Sequence, residues 1–150
     1  MVYRLSRKRF KDDLSGKGAE IAGGRWNSKG IAILYTSQNR ALCTAEIAVH
    51  TPLGIMPKDY YVISIELPKT KVLEVKLKDL PKNWNTFPHL SVTKKIGDEF
   101  VNSSKCLILK VPSAVIQDEF NFLINPHHNL FNKVKIKSSK PFKFDSRLFS

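Results

Sequence analysis

Short runs of hydrophobic positions along the chain predict β-strands. Residues 31–36 are apolar and β-branched, which predicts a buried strand, and the alternation over residues 60–67 predicts a strand with two unlike faces. Prolines and turn residues bound several of these runs. The other predicted strands are residues 2–5, 72–77, 106–111, 120–124, 133–137 and, as a further candidate to close the sheet, 141–144.

Two other stretches have helical spacing. Ser37 or Asn39 could cap a helix that runs to about His50, and residues 88–102 predict a second helix. Residues 14–19 and 23–30 are rich in glycine and predict loops. Strands dominate and alternate irregularly with few helices, so the pattern predicts an α+β fold rather than a doubly wound parallel one. No repeat or linker divides residues 1–150, which predicts one domain.

Composition narrows the class of protein. The chain has 150 residues, of which 42% are hydrophobic and 25% charged, as in an ordinary soluble globular domain. No run of about 18 apolar residues occurs, and the basic first residues lead into no apolar segment, so neither a membrane span nor a signal peptide is expected. Cys43 and Cys106 share no short spacing, which indicates two reduced thiols in a cytoplasmic protein.

The net charge of +12 favours an anionic partner, which could be nucleic acid, a phosphorylated ligand or an acidic protein. Late in the chain lysine alternates with apolar residues, which is typical of the solvated face of an edge strand. No recognition-helix pattern, zinc-finger spacing or aromatic RNA-binding run is present, so a nucleic-acid-binding protein is the weaker hypothesis. The late basic residues are Lys133, Lys135, Lys137, Lys140, Lys143 and Arg147.

The densest candidate chemistry lies in the motif Gly23-Gly24-Arg25-Trp26-Asn27, followed by Tyr35 and Glu46. A double glycine permits positive φ and the close approach of a ligand. An arginine presents a fork of donors that suits phosphate. With an aromatic ring and a carboxylate downstream, this set could hold a dinucleotide and stabilise a cationic sugar. It is not the Gly-x-Gly-x-x-Gly fingerprint of hydride-transfer domains.

These residues also have ordinary structural interpretations. Glu46 lies at the edge of the apolar stripe of its predicted helix, where surface glutamates are common. Arg25 could pack its stem on Trp26, Tyr35 could be a core ring at the end of its strand, and Ser113 could cap a turn. No metal site is expected, because the histidines are either isolated or adjacent in sequence. The four are His50, His89, His127 and His128.

Taken together, the motifs resemble the RES-domain toxins of bacterial toxin–antitoxin modules. The match runs over nearly the whole chain, in order, and its most specific part is the Gly-Gly-Arg-Trp-Asn motif with its downstream Tyr and Glu. The matching elements are Tyr3-Arg4, Ser15-Gly16-x-Gly18-Ala19, Gly23-Gly24-Arg25-Trp26-Asn27, Gly30, Tyr35-Thr36-Ser37, Ala41-Leu42, Ala45-Glu46, Val111-Pro112-Ser113, Asn121, Asn125-Pro126-His127 and Phe144-Asp145-x-Arg147-Leu148.

The resemblance implies an ADP-ribosyltransferase-like fold, in which a split, bent β-sheet with a few flanking helices forms a cleft for NAD+. It implies a single RES domain over residues 1–150, and a toxin that depletes NAD+ by breaking the nicotinamide–ribose bond, with NAD+ as substrate and no cofactor or metal. Arg25, Tyr35 and Glu46 are the implied core triad. Ser113 is implied as a further substrate-binding residue and Arg4 as a weaker one.

The resemblance also implies a partner, a cognate antitoxin with an Xre-like helix-turn-helix that covers the active site and binds operator DNA. A homodimer of the toxin inside that complex is expected, with DNA contacted only through the antitoxin. The acceptor of the ADP-ribose stays open between water, phosphate and a protein. The enzyme could therefore be a glycohydrolase, a phosphorylase or an ADP-ribosyltransferase.

Overall fold

The computed structural model describes residues 1–150 and contains one open β-sheet of seven strands. In space the strands follow the order β4-β5-β6-β2-β1-β3-β7, and only the β4–β5 pair is parallel. The mixed sheet with few helices confirms the predicted α+β class. The strands are β1 (Val2–Arg7), β2 (Leu34–Ser37), β3 (Tyr60–Glu66), β4 (Val72–Glu74), β5 (Ile108–Pro112), β6 (Phe120–Ile124) and β7 (Lys135–Phe142).

The sheet is narrow in its middle. β1 and β2 are joined through a single residue pair, Tyr3 with Ser37, whereas β1 and β3 pair continuously from Val2 to Arg7. The sheet therefore divides into two halves, β4-β5-β6-β2 and β1-β3-β7. This division agrees with the split sheet that the resemblance implied. Ser37 also pairs with Asn121 of β6, so this one residue connects the junction between the two halves to β6.

Three helices flank this sheet: α1 (Lys17–Ala22), α2 (Arg40–His50) and α3 (Ser91–Ser103). The side chain of Asn39 accepts a hydrogen bond from the Leu42 amide at 2.8 Å, so Asn39 rather than Ser37 caps α2. α2 packs against β1 and β2, and its Cys43 thiol donates to the Tyr3 carbonyl at 3.2 Å. This helix therefore covers the junction between the two halves and carries Glu46 to it.

Several predicted boundaries were wrong. The loop predicted for residues 14–19 overlaps α1, which at six residues is too short to show a helical period. Residues 31–33 precede β2 without joining it, although Ile33 is 1% exposed, so their apolar character reflects burial and not strand pairing. β4 ends at Glu74, and α3 starts at Ser91 rather than at residue 88.

Two strands that contain a proline extend further than the sequence pattern predicted. Pro112 is the last residue of β5 and pairs with Phe120. The two segments predicted at residues 133–137 and 141–144 form the single strand β7, which includes Pro141. β7 lies at the edge of the sheet, where a missing N–H leaves no ladder partner unsatisfied. The prediction of a lysine-bearing edge strand is confirmed.

Two hydrophobic clusters lie on opposite faces of the β5–β6 half of the sheet. Leu109 and Leu123 contribute to one cluster, and the neighbouring Ile108 and Ile124 contribute to the other, because successive strand residues point to opposite faces. Both cysteines are buried free thiols, as predicted. No helix combines the length and the apolar character that crossing a membrane would need.

Candidate active site

A cavity of about 770 Å³ opens beside the junction of the two sheet halves. It brings together the three residues expected to form the core triad, Arg25, Tyr35 and Glu46, although they come from a loop, a strand and a helix. The other lining residues are Gly23, Gly24, Trp26, Val49, His50, Asn85, Phe87, His89, Ala114, Val115 and Asn121.

The Glu46 carboxylate is held by two donors from the β5–β6 side of the sheet. Its Oε1 atom accepts a hydrogen bond from Ser113 Oγ at 3.1 Å and another from Asn121 Nδ2 at 2.9 Å. Ser37 Oγ in turn donates to Asn121 Oδ1 at 2.7 Å, which fixes the amide orientation. Both bonds to Glu46 use the same oxygen, so Oε2 remains available to a ligand.

The Ser113 hydroxyl caps a turn, as its structural interpretation predicted, and it also bonds to Glu46, whereas the substrate-binding role implied by the resemblance stays a prediction. Its hydroxyl accepts hydrogen bonds from the amides of Val115 and Ile116 at 3.0 and 3.1 Å, which is the turn-capping arrangement. The same hydroxyl donates to Glu46. Ser113 lies behind the carboxylate and is absent from the wall of the large cavity, so in this structure it positions Glu46.

The Tyr35 hydroxyl supports the Gly-Gly-Arg-Trp-Asn loop. It donates to Asn27 Oδ1 at 2.6 Å and accepts from the Trp26 amide at 3.1 Å. Burial raises the pKa of Tyr35, so the hydroxyl keeps its proton at physiological pH. A Cβ atom on Gly24 would lie 2.7 Å from this hydroxyl, which explains why that position has no side chain.

Helix α3 supports the same loop from the other side. Asp98 accepts hydrogen bonds from the Ser28 amide at 2.8 Å and the Ser28 hydroxyl at 2.6 Å. A Cβ atom on Gly97 would lie 1.5 Å from the Trp26 carbonyl oxygen, so only glycine lets the helix approach this closely. Neither Asp98 nor Gly97 was predicted to have this role. The one available clue was an isolated glycine within a predicted helix.

Arg25 connects the triad to the loop that precedes α3. Its Nη1 atom donates to the carbonyls of Trp84 at 3.1 Å and Thr86 at 3.0 Å. The guanidinium lies 5.9 Å from the centre of the Trp84 ring. Burial lowers the pKa of Arg25 and the charge of Glu46 opposes that shift. The Nε and Nη2 edge of the fork makes no protein hydrogen bond and can accept an anion.

Arg4 lies outside the large cavity. It lines an adjacent pocket of about 210 Å³ that shares Tyr35, Glu46 and Asn121 with it. Arg4 Nη1 donates to the Asp13 carbonyl at 2.8 Å. Burial lowers the pKa of Arg4, and the Asp13 charge opposes this. The expected weaker site residue is therefore a neighbour of the triad and not part of the same wall.

Several residues that were not predicted as site residues also lie at the cavity. His50 and His89, isolated in sequence, both line it, together with Asn85, Phe87 and Asn121. Burial lowers the pKa of His89, and the positive charges of Arg25, Lys94 and His50 add to this effect. No three His, Cys, Asp or Glu side chains come together as metal ligands.

Comparison with known proteins identifies the family. The model of the RES domain matches residues 1–145, so the chain belongs to the RES-domain family. It is 36% identical over 140 residues to the Prs ADP-ribosylating toxin of Sphingobium sp. (strain YBL2), covering 91% of this chain and 87% of that protein. It is 34% identical over 151 residues to Toxin Res of Yersinia enterocolitica, covering 99% of each.

A solved structure shows the same fold. The chain resembles one in the crystal structure of the M. tuberculosis MbcT–MbcA toxin–antitoxin complex, with a TM-score of 0.73 and 18% sequence identity. The similarity covers 99% of this chain and 85% of that one. At this identity the similarity establishes the fold alone.

Proposed function

We propose that this chain is the toxin of a type II toxin–antitoxin system and that it depletes NAD+ by cleaving the nicotinamide–ribose bond. The observation that carries the proposal is the meeting of Arg25, Tyr35 and Glu46 on one cavity of about 770 Å³. This volume lies within the range of cofactor-sized pockets. The names of the Sphingobium and Yersinia relatives support the toxin assignment.

The chemistry suits a site with one carboxylate. The C1′–N1 bond of NAD+ breaks with its electron pair passing to the nicotinamide nitrogen, which was cationic and leaves neutral, so no strong general acid is needed. The ribose passes through an oxocarbenium-like state, as in glycoside cleavage. Glu46 Oε2 would stabilise this positive charge through the ribose hydroxyls. An acceptor oxygen then bonds to C1′ and its proton passes to solvent.

The remaining residues bind and position the substrate. The free edge of the Arg25 guanidinium would hold the pyrophosphate, while its Nη1 atom keeps the loop at Trp84 and Thr86 in place. Tyr35 would wall the nicotinamide pocket and keep the glycine-rich loop in position. Ser113 orients the carboxylate, and Arg4 contributes positive charge from the neighbouring pocket. NAD+ is the substrate, and this scheme uses no cofactor or metal.

A second candidate function is ADP-ribosylation of a protein target. The name of the Sphingobium relative, an ADP-ribosylating toxin, favours it. It requires the same site, because the same bond of NAD+ breaks and only the acceptor differs. Nucleic-acid binding remains a third and weaker candidate, motivated by the charge of +12.

The proposed partner is a cognate antitoxin of the Xre-like helix-turn-helix class, with the toxin as a homodimer inside the complex. A toxin–antitoxin complex as structural neighbour supports an antitoxin partner. DNA would be contacted through the antitoxin, and the cytoplasm, which holds the NAD+ pool, is the proposed location.

The test is nicotinamide release from NAD+ by purified, antitoxin-free protein, with and without phosphate. Wild type should release nicotinamide, and Glu46→Gln should lose at least about 100-fold of the rate, the range given by removing one transition-state contact. Glu99→Gln, which changes an exposed helical glutamate, is the matched control and should be unchanged.

Labelled NAD+ distinguishes the acceptors in the same assay. Free ADP-ribose or its phosphate supports depletion, and covalent label on a protein supports transfer. A folded wild type that produces neither product contradicts both candidates. Full activity of Glu46→Gln would contradict the role given to this carboxylate.

A further inference from the structure

Phe87 is unusually exposed for a residue that lines a cavity. It lines the large cavity, yet its side chain is 78% exposed, which is among the highest values of any large hydrophobic residue in the chain. Single exposed apolar residues are common on protein surfaces. The Phe87 ring differs from such an isolated surface residue because it borders a cavity that Arg25, Glu46 and Asn85 also line. A ligand in that cavity would cover the ring.

The Phe87 ring is also held in place. It meets the His89 ring edge to face, with centroids 5.2 Å apart and planes at 90°. The residue before it, Thr86, accepts a hydrogen bond from Arg25 through its carbonyl, and Trp84 does the same. Arg25 therefore fixes the backbone that carries Phe87. A ring fixed in this way loses little conformational entropy when a ligand stacks on it.

The order of groups along the cavity indicates which part of the substrate reaches Phe87. Glu46 is held on the sheet side of the cavity, where Ser113 and Asn121 donate to its carboxylate. Arg25, the one Arg or Lys side chain that lines the cavity, donates to the carbonyl of Thr86, the residue directly before Phe87. The guanidinium that would hold an anionic pyrophosphate therefore lies next to the Phe87 loop. In a dinucleotide the pyrophosphate joins the nicotinamide riboside to the adenosine, so a substrate with its riboside at Glu46 and its pyrophosphate at Arg25 has its adenosine on the Phe87 side.

We propose that Phe87 is the stacking platform for the adenine ring of the dinucleotide and makes the site select a dinucleotide over a nicotinamide mononucleotide. The assignment rests on the proposed function, because it takes the nicotinamide riboside to lie at Glu46 and the pyrophosphate at Arg25. Stacking on an aromatic face is how proteins hold a base without reading its edges. Asn85, on the same loop and cavity wall, is placed to hydrogen-bond the ring or its ribose.

Steady-state cleavage of NAD+ and of nicotinamide mononucleotide by Phe87→Ala tests this assignment. The KM for NAD+ should rise about 5- to 100-fold, the range given by base stacking, while kcat changes by less than about threefold. The KM for the mononucleotide, which has no adenine, should stay at the wild-type value. Phe87→Tyr should restore the KM for NAD+, and Phe87→Leu, apolar without a π face, should not.

Calorimetric titration with ADP-ribose supplies a readout that needs no turnover. Wild type should bind it and Phe87→Ala should bind it about 5- to 100-fold more weakly, at an unchanged melting temperature because the ring is exposed. Equal KM and Kd values in wild type and Phe87→Ala would overturn the platform. Equal weakening for NAD+ and the mononucleotide would overturn the adenine assignment. A wild type that cleaves neither substrate would instead contradict the proposed function.

Discussion

At the scale of single residues, Glu46 depends on side chains from distant parts of the chain. Asn121 and Ser113 bond the same carboxylate oxygen, although they lie 75 and 67 residues away in sequence. Because both donate to Oε1, they orient the carboxylate and leave the other oxygen without a protein hydrogen bond. The orientation of Glu46 therefore depends on residues that are distant in sequence.

Asn121→Ala tests this positioning. The variant removes one charge-assisted hydrogen bond from Glu46, and we expect kcat for nicotinamide release to fall about 10- to 100-fold, as a loss of about 1.5–3 kcal/mol would give. The matched control is Asn102→Ala on the exposed face of α3, which should keep wild-type kcat. An unchanged kcat in Asn121→Ala would mean that Ser113 alone positions the carboxylate.

Tyr35→Phe tests the second residue-scale role. The variant leaves the Trp26 amide and the fully buried Asn27 Oδ1 without partners, and each unsatisfied group costs about 1–3 kcal/mol of the free energy of unfolding. Denaturant titration should therefore show a clear loss of stability, together with loss of activity. Tyr60→Phe, on a half-buried ring packed edge-on against Phe144, should lose far less. Equal stability of the two variants would contradict the supporting role of the Tyr35 hydroxyl.

At the scale of elements, the irregular loop of residues 23–28 is held in place by a strand, β2, and a helix, α3. The backbone from Gly23 to Ser28 has little hydrogen bonding of its own beyond the Gly24–Asn27 bridge. β2 supports it through the Tyr35 hydroxyl, and α3 supports it through Asp98 and the close approach at Gly97. The position of Arg25 in the cavity therefore depends on how α3 packs.

Two glycine-to-alanine variants distinguish the effect of close packing on the free energy of unfolding from the effect of helix propensity. Gly97→Ala places a methyl group against the Trp26 carbonyl, and we expect the free energy of unfolding to fall by about 3 kcal/mol or more. Gly18→Ala in α1 meets nothing within 4 Å and should be neutral or stabilise by up to about 1 kcal/mol. Thermal unfolding of both variants measures the difference. A stable Gly97→Ala would show that α3 can move away from the loop.

At the scale of the whole molecule, charge and chemistry occupy different places. The exposed lysines of β7 lie on the far edge of the sheet, and among them Lys137 forms a weak ion pair with Glu66 at 3.6 Å. The cavity lies at the other side of the β1–β2 junction, with Arg25 as its cation. The lysines of β7 are therefore separate from the residues that line the cavity.

Glutamine at Lys135, Lys140 and Lys143 tests this separation. We expect unchanged nicotinamide release, because these exposed side chains lie outside the cavity. Any binding of the isolated chain to duplex DNA should be weak and should weaken as salt is added. The logarithm of the binding constant should fall by about 0.9 per tenfold rise in salt concentration for each phosphate contacted. Fluorescence anisotropy at several salt concentrations measures the slope, which should become shallower in the variant. Tight, salt-insensitive binding to DNA would instead favour the nucleic-acid hypothesis.

Local patterns account for what could be predicted without the structure. The Asn39 cap, the α2 helix up to His50 and the bounds of β6 depend on residues a few positions apart, and the structure confirms them. The extent of β7 was less predictable. Residues 138–140, which separated the two predicted segments, pair with β3 in the single strand, and pairing with a distant strand leaves no local pattern.

The sequence by itself determined the α+β class, the helix that carries Glu46 and the motif that carries Arg25, because periodicity, capping and glycine spacing act over short distances. Only the tertiary structure decided that Asn121 and Phe87 line the same cavity and that Gly97 lets α3 pack against the loop that carries Arg25. Their contacts depend on the order of the strands and on the packing of α3. Strand order is a property of the assembled sheet, so no local pattern in the chain encodes it.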